Sequence, residues 1–89
     1  MDEAAKAAKV LERLEAAQSE PPDAALPLLN ELVGLVQGGQ EQFLEVEEAR
    51  SSAFLAICEV GKALHRKQPA ADLWVTAIAA TERWRGLAR

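Results

Sequence analysis

The chain has 89 residues and a single cysteine, which allows one small domain and excludes an internal disulfide. Apolar residues make up 49% and charged residues 27%, enough to bury a core and stay in water, so intrinsic disorder is excluded. A net charge of −4 argues against a protein that holds nucleic acid by bulk charge. The longest charge-poor run, Leu32 to Gln40, is broken by glycines and falls far short of the roughly 20 apolar residues that cross a bilayer.

Four helices are predicted, at about 2–18, 24–37, 40–67 and 70–87. In the first, Ala4, Ala7, Leu11 and Leu14 recur at spacings of three and four, giving one thin apolar face. The pair Pro21-Pro22 ends it, since neither residue has an amide hydrogen to donate. Asp23 is the expected N-cap of the second helix, and Pro27 is expected in its first turn. From there Leu26, Leu28, Leu29, Leu32, Val33, Leu35 and Val36 cover most of the circumference, as in a helix buried on several sides. Gly38-Gly39 supplies the stop.

The third predicted helix has no proline, and Phe43, Val46, Arg50, Ala53, Ile57, Val60 and Leu64 step along it by threes and fours. Phe54, Leu55 and Cys58 flank that seam, so the middle of the helix reads as a central post for the others, with Gly61 allowing a neighbour to come close. Glu41, Glu45, Glu47 and Glu48 stand near its start and Lys62, His65, Arg66 and Lys67 near its end, complementing the helix dipole. Gln68-Pro69 ends it and Pro69 opens the fourth helix. There Leu73, Ala77, Ala80, Trp84 and Leu87 form the apolar face, Trp74 lies to one side, and Val75 with Ile78 makes a second patch. Strand-like alternation and internal repeats are absent. The expected fold is therefore all-α: a single domain over 1–89, a small antiparallel bundle of three to four helices with a long central helix.

Charge is divided unevenly along the chain. Through Glu48, eleven carboxylates stand against Lys6, Lys9 and Arg13; after it, seven bases stand against Glu59, Asp72 and Glu82. An acidic front and a basic back attract each other within one chain or between two chains set head to tail.

Signatures of chemistry are missing. Cys58 and His65 share a helix face but lie about 10 Å apart along its axis, too far for a nucleophile and its base. They read as a small core hydrophobe and a solvated cation. Glu41, Glu45 and Glu48 line one face, which is read as a solvated acidic helix start and not as a metal site. Gly38-Gly39 belongs to no phosphate-binding pattern, and the hydroxyls of Ser51, Ser52, Thr76 and Thr81 have one histidine among them to serve as base. No catalytic residue, metal or cofactor is expected.

What remains is association. Arg50 occupies a core step of its seam, where a charge needs a partner such as Glu47 or a carboxylate from another helix. The plainer alternative has the helix turn slightly and Arg50 reach solvent over its aliphatic stem. Trp84 with Arg83, Arg85 and Leu87 has the composition of an interface anchor, although Trp84 equally completes the core stripe of its own helix. Trp74 poses the same choice. The expected function is a non-catalytic protein-interaction module: a small adaptor, regulator or chaperone-like subunit, pairing with itself as a homodimer or with another protein, with no membrane segment. The alternative is a small dimeric DNA-binding regulator using the basic C-terminal half, disfavoured by the overall charge. An acidic N-terminus without a leader pattern and a lone cysteine suit the cytoplasm, and the alanine-rich, lysine-poor composition suits a GC-rich bacterial genome.

Overall fold

The computed structural model describes residues 2–37 and 43–88. Four helices account for most of them: α1 (Glu3–Gln18), α2 (Pro22–Val36), α3 (Leu44–His65) and α4 (Ala71–Leu87). Each opening and closing has a local cause. Asp2 caps α1, its carboxylate accepting from the Ala5 amide at 2.9 Å. Pro22 is the first residue of α2, where its fixed φ suits the helix and its missing N–H is no loss, so Pro21 and not Asp23 is the capping position. The helix thus starts two residues earlier than expected, and Pro27 lies inside it, beyond the first turn, forfeiting one backbone hydrogen bond.

Helix α3 ends in a Schellman motif. Lys67 takes the left-handed conformation with φ 57, Gln68 N–H donates to the Ala63 carbonyl and Lys67 N–H to that of Leu64. Glycine usually fills that position. Pro69 follows and keeps the chain from resuming, but α4 opens two residues later, at Ala71. Residues 38–42 lie outside the described residues, and with them the Gly38-Gly39 turn, the expected start of the third helix at Gln40, and Glu41. Phe43, expected in the seam, is extended, precedes α3 and is half exposed.

Among the described residues, sequential helices pack as neighbours and α1 also packs on α4, with no close backbone approach across either diagonal. The result is an up-down-up-down ring of four helices, 37 Å long and about half as wide. At 22 residues α3 is the longest helix, but it occupies one corner of the ring, with α2 and α4 as its backbone neighbours. Small residues bring the helices together: Ala7, Ala17, Ala25, Ala49, Ala53, Ala63 and Ala77 are all buried. Around them pack Val10, Leu14, Leu29, Leu32, Ile57, Val60 and Trp84. On α4 the buried stripe is Trp74, Ala77, Thr81 and Trp84, rotated from the expected one because two indoles bury more area than Leu73 and Leu87 do. Thr81 satisfies its hydroxyl on the Ala77 carbonyl at 2.8 Å. Among the described residues there is no strand, and no helix is long and apolar enough to cross a membrane.

Candidate functional site

Of the residues singled out in the sequence, three are part of the fold itself. Arg50 is buried rather than extended to solvent. Its guanidinium grips the Glu47 carboxylate one turn back through Nε and Nη2, and Nη1 donates to the Val36 carbonyl at 2.5 Å. Val36 is the last residue of α2, so Arg50 caps a neighbouring helix at its negative end. Trp84 is fully buried, and its indole Nε1 donates to Glu3 Oε1 at 3.1 Å, tying the end of α4 to the start of α1. Trp74 is likewise in the core. Arg83 and Arg85 are exposed, Leu87 is partly buried against the core, and Arg89 lies outside the described residues.

The basic residues of the second half do not form one surface. Lys62, His65, Arg66 and Lys67 sit at the α3/α4 turn, whereas Arg83 lies on the order of 18 Å down α4, toward the other end of the ring. Glu47–Arg50 does join the acidic part of the chain to the basic part, but between residues three apart within α3, and Glu59–Lys62 is likewise local to that helix. Arg66, Lys67, Arg83 and Arg85 make no ion pair among the described residues. Arg85 faces Glu12 and Glu15 across a shallow furrow between α1 and α4 without reaching them. Also among the described residues, no group of three or more His, Cys, Asp or Glu converges on a point where a metal could sit.

A further furrow lies on the opposite edge of the ring, between α2 and α3. About 510 Å³ in volume, it runs over Leu26 and Val33 of α2 and Cys58 and Gly61 of α3, with Lys62, His65 and Arg66 on its rim. A Cβ built on Gly61 would meet nothing within 4 Å, so no neighbour comes close at this glycine, contrary to the sequence expectation. At the end of the bundle the furrow passes into a second hollow, where Pro21, Pro22 and Pro69 of the two turns join Leu26 and His65. A separate, smaller hollow beside Arg50 is lined by Gln37, Ser51 and Phe54.

On its outer side α3 carries apolar side chains that are exposed among the described residues. Leu55, expected to flank the core, is 63% exposed and Leu44 is 74% exposed. Leu55 was read as a flank of the core because the apolar run through the middle of α3 looks buried on all sides. The signal was nevertheless present: Leu44, Glu48, Ser51, Leu55, Cys58, Lys62 and His65 step by four and three, a second heptad stripe turned away from the core stripe. Compared with protein-family models, with curated proteins and with solved structures, the chain matches none.

Proposed function

We propose that this chain is a non-catalytic protein-association module, a small adaptor, regulator or chaperone-like subunit, and that its binding surface is the α2/α3 face. The observation that carries the reading is the exposed stripe of α3 next to the furrow. Leu55 stands 63% exposed one turn before Cys58 of the furrow, Leu44 is 74% exposed at the start of the same stripe, and Lys62, His65 and Arg66 rim the furrow's far end. An apolar strip with a polar rim is the general anatomy of a protein interface. Catalysis has no place in this reading: Cys58 and His65 stand two turns apart along α3, too far for a nucleophile and its base. Neither does a cofactor. The free thiol of Cys58 suits a reducing compartment such as the bacterial cytoplasm.

Cys58 is also the means of testing the reading, being the one cysteine of the chain and half-buried in the furrow. The rate of maleimide labelling is measured across chain concentration, and again with an added amphipathic helical peptide carrying leucines at every third and fourth position. Slowing under either condition is expected. A reference cysteine placed at exposed Val75 in a C58S chain should label at a constant rate. Labelling of Cys58 that never slows removes the α2/α3 face as the binding surface.

A further inference from the structure

We infer that the occupant of this face is a second copy of the chain, docked antiparallel so that the two α3 helices pair about a two-fold axis at Leu55. The inference rests on the reading of the α2/α3 face as the binding surface and adds the identity of what covers it.

The argument is one of spacing and charge. Leu55 lies seven residues after Glu48 and seven before Lys62, and eleven after Leu44 and eleven before Arg66. Seven residues are nearly two full turns, about 10 Å, so all five side chains rise from roughly one outer face of α3 at distances balanced about Leu55. All five are exposed. Laid antiparallel on its own copy, this face brings Leu55 onto Leu55, Glu48 opposite Lys62 of the second copy, and Leu44 under the aliphatic stem of its Arg66. Ser51, Ser52 and Cys58 are small enough beside Leu55 for the helices to approach closely. A two-fold contact of this kind uses the same patch on both chains and therefore closes as a dimer.

The alternatives are less well matched. Parallel pairing sets Glu48 against Glu48 and Lys62 against Lys62. A head-to-tail contact of the α1/α4 edge, with Glu12 and Glu15, against the basic end of the α2/α3 edge joins opposite sides of the ring and propagates without closing. Lys62 already meets Glu59 at 3.3 Å, but both side chains remain more than half exposed, so Lys62 can serve Glu48 of the second copy as well.

Charge reversal tests the pairing. Two variants, E48K and the double variant K62E/R66E, alter exposed side chains only, and circular dichroism verifies that each keeps the bundle. Native mass spectrometry then compares the wild type, each variant alone and the two mixed. The wild type should appear as a dimer, each variant alone as a single chain with its pairing weakened at least about tenfold, and the mixture as a heterodimer. A wild type that stays a single chain overturns the inference while leaving the face open to a different protein, which the labelling of Cys58 decides separately. A dimer indifferent to both variants overturns it by placing the contact elsewhere.

Discussion

Arg50 Nη1 reaches the carbonyl of Val36, fourteen residues earlier, and so one arginine of α3 closes the end of α2. The Glu47 carboxylate, about a third exposed, holds the other side of the guanidinium fork. Replacing Arg50 by Ala leaves the Val36 carbonyl at the end of α2 without its donor and is expected to cost about 2–3 kcal/mol. Glu47→Gln, which keeps a hydrogen-bonding group at a partly solvated site, should cost under about 1 kcal/mol. Urea unfolding at one fixed protein concentration reads both. Equal losses would show that the ion pair, and not the cap, is what matters.

The contact between Trp84 and Glu3 fixes the two ends of the fold on each other. Glu3→Ala should destabilise by about 1 kcal/mol, from the stranded indole N–H and the lost acid in the first turn of α1. In a Trp84→Phe background the same substitution should cost measurably less, because the phenyl ring has no N–H to strand. Additive effects of the two changes would show that the hydrogen bond contributes nothing.

Lys67 occupies a left-handed position that a side chain adopts at a cost. Lys67→Gly relieves it, less the extra freedom glycine has in the unfolded chain, for an expected gain of about 0.5–1 kcal/mol. Thermal melting should then move up by several degrees, about 4–8 °C per kcal/mol for a domain of this size. A lower melting temperature would mean that the lysine side chain makes up for its backbone.

Gly61→Ala is expected to stabilise as well, by about 0.5–1 kcal/mol, because the new methyl enters the open furrow and alanine favours the helix. Destabilisation measured in urea would mean that a neighbour occupies the space after all.

Much of this architecture could be read from periodicity. Steps of three and four marked four helices, and Pro21-Pro22 and Gln68-Pro69 marked two of their boundaries to within a few residues. What local pattern could not supply was the partner across the ring. Arg50 was legible as a charge in a core seam, and Glu47 as one possible mate, but nothing in the sequence says that the end of α2 lies beside it. Trp74 was placed at the edge of its stripe because spacing weighs every apolar residue alike, whereas packing favours the largest. Leu55 shows the reverse error: a helix at the corner of a ring has two neighbours and a free side, and its apolar outer side chains look like core until the ring is seen.

The pairing of two chains through that free side of α3 is tested most directly by the mass of the wild-type protein, measured by light scattering after size exclusion across concentration at low and high salt. A mass twice that of the 9.6 kDa chain is expected at low salt, falling toward one chain as salt screens Glu48 from Lys62 and Arg66. A mass of one chain at every concentration and at both salts would contradict it.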